Sequence, residues 1–227
     1  MQSNLMDAAH AADVERFVFL GSSCIYPREC PQPIKEEYLM TGPLEKTNSA
    51  YAVAKIAGIE LIKSYRKQHG RRWISLMPTN IYGPKDNFNL ETSHVLPALI
   101  NRFVTAQSQG TSKVTLWGTG TPKREFLHST DLAAATLFAL ENYDNDEHLN
   151  VGTGEDISIK ELAELIAKES GFKGEIDRDL SKPDGTPRKV LDVSRLRALG
   201  WAPSVGLPEG VRGTITWFRE NQSKVRT

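Results

Sequence analysis

Two side chains that could exchange a proton lie four residues apart in the segment 50–69. Tyr51 and Lys55 fall in an alanine-rich stretch that ends at Gly70, which is typical of a helix with a glycine C-cap. Residues four apart project from the same face of a helix, and a neighbouring ammonium favours the tyrosinate form of a phenol. The pair predicts that Tyr51 can act as a general acid near neutral pH. Ordinary amphipathic helices also show this spacing, so the prediction needs support from other residues.

A serine-containing turn follows the first predicted strand. The apolar run 16–20 is closed by a glycine and two serines at 21–23, a pattern typical of a buried parallel strand and its carboxyl end. Open α/β sheets bind ligands at this edge, where a serine hydroxyl can hydrogen-bond a substrate oxygen. A serine at a strand end is otherwise a turn former or a helix cap. Only the combination of Ser22 with Tyr51 and Lys55 therefore favours catalysis.

The rest of the chain predicts a doubly wound α/β fold. Apolar residues recur at helical spacing in several segments, and short apolar runs typical of buried strands alternate with them. The predicted helices are 4–13, 50–69, 94–107, 131–142, 158–170, 194–199 and 207–221, and the predicted strands are 16–21, 73–77, 114–117 and 149–152. This alternation indicates a parallel sheet with helices on both faces.

Local signals refine this prediction. Asp131 is expected to cap the amino terminus of the helix 131–142, and Ser158 with Glu161 forms a capping-box pattern. The segment 27–47 contains four prolines and several charges, which predicts a surface loop that could fold over a site.

Composition excludes several classes of protein. Lys plus Arg number 28 and Asp plus Glu number 28, so no charge excess indicates a nucleic acid or a membrane as partner. The segment 1–17 does not resemble a signal peptide, and no run of about 18 apolar residues predicts a membrane span. Cys24 and Cys30 lack metal-ligand spacing, so we expect no disulfide framework, no metal site and a reducing cytoplasm as the location.

Ser22, Tyr51 and Lys55 together resemble the catalytic set of the extended short-chain dehydrogenase/reductase superfamily. Longer stretches resemble the GDP-L-fucose synthase family within it. These stretches are GSSCIYP (21–27), YAVAKIAG (51–58), MPTNIYGPKDNF (77–88), SHVLPALI (93–100), WGTGTPKREFLH (117–128) and KPDGTPRK (182–189). The resemblance covers nearly the whole chain.

The resemblance implies an NADP(H)-dependent enzyme that epimerises carbons 3 and 5 of GDP-4-keto-6-deoxy-D-mannose and then reduces the ketone to give GDP-L-fucose. A ketone acidifies the hydrogens on both flanking carbons, so a base and an acid suffice for epimerisation. The resemblance implies Cys24 as the base and His94 as the acid, with Ser22, Tyr51 and Lys55 polarising the ketone oxygen. Alternatively, Cys24 is a small buried apolar residue and His94 caps the helix that follows it.

The resemblance also assigns ligand-binding positions. The implied substrate contacts are Arg102, Trp117, Arg124 and Asp184. The implied NADP contacts are Leu20, Gly21, Ser22, Ser23, Lys55, Pro78, Thr79, Asn80, Ile81 and His94. A forked guanidinium suits a diphosphate, although lone arginines are usually solvated and a tryptophan that ends an apolar strand is usually in the core.

Family members begin with a strand, a Gly-x-x-Gly-x-x-Gly turn and a helix that hold the cofactor pyrophosphate. No such segment occurs in this sequence, so we expect roughly the first 80 residues of the family's Rossmann pattern to be absent. We expect 1–92 to be the remaining part of the NADP-binding domain. Residues 93–227 are then mainly a smaller α/β region that binds the GDP-sugar, with some segments returning to the sheet.

The family pattern also implies a homodimer formed through the helices around 4–13 and 50–68. The missing amino-terminal part could be supplied by a separate chain, lie behind an upstream start codon, or have been lost by truncation. Two other functions stay open. One is a catalytically silent fragment that only binds a nucleotide sugar or dimerises. The other is a different reaction of the superfamily, such as 4-epimerisation or 4,6-dehydration. The combination of Cys24 and His94 argues against the latter, because 4-epimerisation by transient oxidation needs no acid–base pair at carbon.

Overall fold

The computed structural model describes residues 1–225, so the last two positions of the predicted 93–227 region lie outside the described residues. Its helices are α1 (Gln2–Ala11), α2 (Ser49–His69), α3 (Val95–Ser108), α4 (Ser129–Asn142), α5 (Ile159–Glu169), α6 (Ser194–Ala198) and α7 (Leu207–Asn221). Its strands are β1 (Val18–Leu20), β2 (Ile74–Pro78), β3 (Asn80–Tyr82), β4 (Lys113–Trp117), β5 (Lys123–Arg124), β6 (Phe126–His128), β7 (Leu149–Val151), β8 (Ile157–Ser158), β9 (Glu175–Asp179) and β10 (Arg188–Lys189). Within residues 1–225, no helix has both the length and the apolar character needed to cross a membrane.

The chain folds into two compact units, each built from segments that are distant in sequence. Unit 1 comprises Met1–Asn80, Asp131–Glu155 and Val190–Pro203. Unit 2 comprises Ile81–Thr130, Asp156–Lys189 and the described part of Ser204–Thr227. The assignment of a cofactor part and a substrate part to the chain stays a prediction.

A three-stranded parallel sheet forms the centre of unit 1. Its strand order is β1-β2-β7, and all five residues of the middle strand β2 are buried. Continuous burial is expected for an inner strand of a parallel sheet that is covered on both faces. On one of these faces, Ile59 and Ile62 of α2 belong to a core that includes Phe19 and Trp73. The left-handed Gly70 (φ 64°) ends α2, so the predicted helix and its C-cap are confirmed.

Unit 2 contains shorter strands in small sheets. β4 and β9 form a parallel pair, β3 pairs with β6, and β10, β5 and β8 form a mixed sheet. Helices α3, α5 and α7 contribute to a core rich in aromatic side chains, including Phe88, Phe103, Phe172 and Phe218. Parallel pairing in both units confirms the predicted α/β class.

Two of the predicted helix starts have different outcomes. α4 begins at Ser129, so Asp131 lies buried in its first turn, and the prediction that Asp131 caps this helix is wrong. The capping box that begins α5 is confirmed, because Ser158 Oγ accepts the Glu161 N–H at 3.1 Å and Glu161 Oε2 accepts the Ser158 N–H at 3.0 Å. The capping box predicts a helix start more specifically than a single Asp does, because its two residues bond to each other's backbone.

The segment 27–47 is only partly a surface loop. Ile34 and Glu36 are buried, and Ile34 forms a parallel bridge with Leu191. The Ile34 N–H donates to the Val190 carbonyl at 2.8 Å, and the Asp192 N–H donates to the Ile34 carbonyl at 2.8 Å. The middle of the segment is therefore anchored in unit 1, which corrects the expectation of an exposed loop.

A buried polar network joins this segment to β7. The Asn150 side-chain amide donates to the carbonyls of Ile34 (2.9 Å) and Asp192 (3.1 Å), so Asn150 Oδ1 faces the Tyr26 hydroxyl, which donates to it at 2.6 Å. Because that hydroxyl has one proton, the 3.0 Å contact between Tyr26 and His148 is donated by His148 Nε2. His148 Nδ1 is buried and has no hydrogen-bond partner within the described chain. A second proton on this ring would therefore have no acceptor.

This network predicts acid-sensitive stability. Burial, assisted by the positive charges of Lys63 and Arg195, lowers the pKa of His148 to about 4. The unfolded chain takes up the proton near the ordinary value of 6.5. The contribution of neutral His148 is therefore intact above that pH and is lost as the pH falls toward 4, by on the order of 1 kcal/mol for each pH unit.

Urea unfolding measured across this pH interval checks the expectation. His148→Gln retains an amide that can donate to Tyr26 but cannot take up a proton, so its free energy of unfolding should fall less steeply with acidification. Equal slopes in the two proteins would show that His148 does not cause the loss.

Candidate active site

The carboxyl ends of β1 and β2 lie side by side at one edge of the unit 1 sheet. Leu20 is in register with Leu76, and the Gly21 N–H donates to the Leu76 carbonyl at 2.8 Å. Thr79 follows β2, and its N–H donates to the Val151 carbonyl of β7 at 3.0 Å. The structure thus brings the predicted cofactor positions 20–23 and 78–80 to the same edge, because neighbouring parallel strands end there.

Ser22 begins a short 3₁₀ turn, Ser23–Ile25, at the end of β1. Its backbone is extended (φ −164°, ψ 147°), and its Oγ accepts the Cys24 N–H at 3.2 Å. The hydroxyl proton is not used in that bond and can be donated to a ligand. Cys24 is partly exposed in the same turn, and neither Cys24 nor Cys30 is in a disulfide. Ser22 therefore caps a turn, as the alternative interpretation held, and retains a donor.

Lys55 links α2 to the end of β1. Its Nζ donates to the Leu20 carbonyl at 2.8 Å and lies 5.7 Å from the centre of the Tyr51 ring and 5.1 Å from the centre of the Phe19 ring. Partial burial lowers the pKa of the Lys55 ammonium. Tyr51 is 50% exposed, so its ring is accessible beside this charge. The predicted placement of Tyr51 and Lys55 on one helix face is what the structure shows.

Gly58 allows α2 to lie directly on β1. A methyl group at this position would overlap the ring of Phe19, so the helix can approach this closely only because residue 58 has no side chain. Lys55 lies about one turn earlier on the same helix and reaches Leu20, the neighbour of Phe19. The close contact therefore sets the distance over which the ammonium reaches the strand.

The remaining catalytic candidate, His94, lies in unit 2 immediately before α3. It occupies the N-cap position (φ −69°, ψ 163°), but its side chain makes no capping hydrogen bond and is exposed. The alternative interpretation that His94 is a helix cap is therefore wrong for the side chain. Ile81, which was also assigned to the cofactor, is part of β3 in the same unit.

Trp117 precedes the turn 118–120 in unit 2, and the Asp184 side chain contacts this turn. Trp117 ends β4 and is 66% exposed, so the interpretation as a core residue is wrong. The Asp184 carboxylate accepts the Thr119 N–H at 3.0 Å and the Thr119 hydroxyl at 2.7 Å. Lys182 Nζ lies 5.5 Å from the Trp117 ring. Sequence analysis missed Lys182, since only the fold brings it to the tryptophan.

The two arginines assigned to the substrate already contact main-chain oxygens. Arg124 Nη1 donates to the carbonyls of Thr186 (2.6 Å) and Lys123 (2.7 Å), and burial lowers the pKa of its guanidinium. Arg102 Nη1 donates to the Thr115 carbonyl at 3.4 Å. Both guanidinium groups keep further N–H groups for a ligand. In the part of the chain that the structure describes, no cluster of three or more His, Cys, Asp or Glu residues could hold a metal ion.

Comparisons with known proteins show which family this chain resembles. A model of the NAD dependent epimerase/dehydratase family matches residues 1–152. The chain is 54% identical over 222 residues to Probable GDP-L-fucose synthase 1 of Oryza sativa subsp. japonica, covering 97% of this chain and 68% of that protein. It is 52% identical over 235 residues to GDP-L-fucose synthase of Escherichia coli (strain K12), covering 100% of this chain and 73% of that protein. The crystal structure of a GDP-L-fucose synthetase from Naegleria fowleri bound to NADP matches with a TM-score of 0.94 at 32% identity, covering 100% of this chain and 73% of that one.

The contact between Gly58 and Phe19 yields a prediction about stability. Gly58→Ala should lower the free energy of unfolding by about 1–3 kcal/mol, because the added methyl group must displace a buried ring or the helix itself. Gly213→Ala is the matched control, since this exposed glycine in α7 has open space around the position of a Cβ. The control should raise stability by roughly 0.5–1 kcal/mol. Thermal unfolding of both variants checks this, and equal stability of Gly58→Ala and the unsubstituted chain would contradict the close approach.

Proposed function

Since the chain belongs to the NAD dependent epimerase/dehydratase family and, within it, to the GDP-L-fucose synthases, we propose that it converts GDP-4-keto-6-deoxy-D-mannose to GDP-L-fucose with NADPH. The observation that carries the proposal is the bond from Lys55 to the Leu20 carbonyl. It holds the Tyr51–Lys55 pair at the strand end where Ser22 and Cys24 follow.

We assign the cofactor to the edge formed by 20–23 and 78–80, together with Lys55, Ile81 and His94. A serine hydroxyl, an ammonium and the Asn80 amide form a donor set that fits the ribose hydroxyls and carboxamide of a nicotinamide nucleotide. NADPH, when bound, supplies the hydride that reduces carbon 4. This assignment rests on the chemistry of the side chains and on the NADP-bound relative described above.

The first part of the proposed reaction is epimerisation. The Cys24 thiolate removes a proton from a carbon next to the ketone, and the electron pair moves into an enolate. The Ser22 and Tyr51 hydroxyls stabilise the enolate oxygen, with the Lys55 ammonium adding positive charge. His94 gives a proton to the opposite face of the carbon, so the configuration inverts without a net change in oxidation state.

Reduction follows from the same oxygen contacts. As hydride reaches carbon 4, the ketone becomes an alkoxide, and Tyr51 gives it a proton. The Lys55 ammonium stabilises the tyrosinate that remains. The partial burial of Lys55 strengthens this interaction, because it is less screened by water.

We assign the GDP part of the substrate to unit 2. Trp117 offers an exposed aromatic face, and Asp184 stands at the adjoining turn. Arg102 and Arg124 supply the positive charge that a diphosphate requires, through the guanidinium N–H groups not bonded to carbonyls. These roles follow the family resemblance, and the exposure of Trp117 supports them.

We further propose that the chain forms a homodimer and works in a reducing cytoplasm. Leu5 on α1 and Val53 on α2 are 59% and 55% exposed, and these are the helices through which the resemblance implies pairing. Exposed apolar side chains on neighbouring helices favour association. The two cysteines without a disulfide support a reducing location.

Ligand titration tests the proposed function directly. NADPH fluorescence and, in parallel, GDP binding are measured with the purified 227-residue chain, and saturable binding of both is expected. GDP binding without NADPH binding would instead support a nucleotide-sugar-binding fragment. Absence of both would refute the proposal.

The assigned chemistry also predicts that epimerisation and hydride transfer can be separated. Cys24→Ser should lower deuterium incorporation from D₂O at sugar carbons 3 and 5 by about 10²–10⁴-fold, because the general base is lost. Hydride transfer from GDP-L-fucose to NADP⁺, which needs no base at carbon, should continue. Cys30→Ser is the matched control and should leave both rates unchanged. Unchanged deuterium incorporation in Cys24→Ser would remove Cys24 from the mechanism.

A further inference from the structure

The loop 83–94, which leads to His94, has its own hydrogen-bond framework. Asn89 Oδ1 accepts the N–H groups of Glu91 and Thr92, both at 2.9 Å, and Asn87 Oδ1 accepts the Asn89 N–H at 3.1 Å. Side-chain acceptors of this kind fix a loop backbone locally, without help from a sheet. The loop thus has a defined conformation up to the residue that begins α3.

Phe88 anchors this framework in the core of unit 2. Its side chain is fully buried against Phe218 and Trp217, and its carbonyl accepts the Asn101 side-chain amide at 2.8 Å. Asn101 lies on α3, so the loop is bound to the same helix that His94 precedes. His94 is therefore held at a fixed backbone position, although its side chain is exposed.

Asp86 has an acceptor that this framework does not satisfy. Asp86 Oδ1 accepts the Asn87 N–H at 2.7 Å, whereas Oδ2 is buried and has no hydrogen-bond partner among residues 1–225. A buried acceptor without a donor is costly, so its presence needs a reason. A neighbouring side chain that turns toward Oδ2 can supply the donor.

His94, at the end of the same loop, is a side chain that can meet this requirement. Burial raises the pKa of Asp86, and the Asn87 N–H and the positive charge of His94 act against that rise. The charge of His94 is thus felt at the carboxylate. The His94 imidazole makes no capping bond, so the helix does not fix its orientation.

We propose that Asp86 is the positioning residue of His94. Its Oδ2 accepts an N–H of the imidazole, which fixes the orientation of the ring. The other ring nitrogen then gives its proton to the sugar carbon, and Asp86 stays ionised throughout. This inference rests on the proposed role of His94 as the acid in epimerisation.

The role can be tested because proton removal and inversion give different signals. Cys24 alone can remove a proton and return a deuteron to the same face, whereas inversion also requires His94. In D₂O with NADPH, Asp86→Asn should form sugar inverted at carbons 3 and 5 about 10–100-fold more slowly, by analogy with the loss of the partner that orients a metal-bound histidine. Deuterium incorporation and the KM for the GDP-sugar should stay unchanged. NMR of the products measures inversion and deuterium content in one sample.

Glu91→Gln is the matched control, because it removes the same charge from an exposed side chain of the same loop. It should leave both signals unchanged. A parallel fall of inversion and deuterium incorporation in Asp86→Asn would overturn the proposal in favour of a general structural role. Unchanged inversion would overturn it as well. If the unsubstituted chain showed neither reaction, the proposed function would fail, and this inference with it.

Discussion

The hydrogen bond from the Lys55 ammonium to the Leu20 carbonyl is the constraint on which the candidate active site depends. It requires α2 to lie within one side-chain length of β1, and the absence of a side chain at Gly58 makes that approach possible. The ammonium gives up part of its hydration to reach the strand, a cost that the charge-assisted hydrogen bond offsets. Because Tyr51 lies on the same helix face, its ring follows the position of the ammonium. The packing distance between α2 and β1 therefore determines where the acid Tyr51 lies.

The parts of the fold that could be predicted are those with strong local signals. α2 was found because its apolar period is long and Gly70 supplies the left-handed conformation that ends it. The α5 capping box was found because Ser158 and Glu161 satisfy each other. The two-residue strands β5, β8 and β10 show no period at all, and β9 (Glu175–Asp179) is largely polar because it is only partly buried. The prediction that Asp131 caps α4 was wrong because a carboxylate is also favourable in the first turn of a helix, where it interacts with the helix dipole.

The candidate site likewise contains residues that local patterns predict and residues that they do not. Spacing alone placed Tyr51 and Lys55 on one face, and the strand-end position of Ser22 followed from the apolar run before it. The significance of Asp86 could not be found, because burial of a single carboxylate oxygen depends on how a loop folds against a core. The proximity of Lys182 to Trp117 depends on the pairing of β4 and β9, whose residues are about 60 positions apart in the sequence. Contacts of this kind are tertiary, so no local pattern encodes them.

Because unit 1 is built from segments distant in sequence, its sheet cannot be completed early in synthesis. β2 ends at Pro78, but its second neighbour, β7, begins only at Leu149. At a typical elongation rate of roughly 5–20 residues per second, synthesis of the residues between β2 and β7 takes several seconds. One edge of β2 is unpaired during this time. Asn150, which ties Ile34 to Asp192, cannot close its network until residue 192 has also been synthesised. Nascent chains therefore present an apolar parallel strand with an open edge during this interval, which is when a holdase chaperone would have a surface to bind.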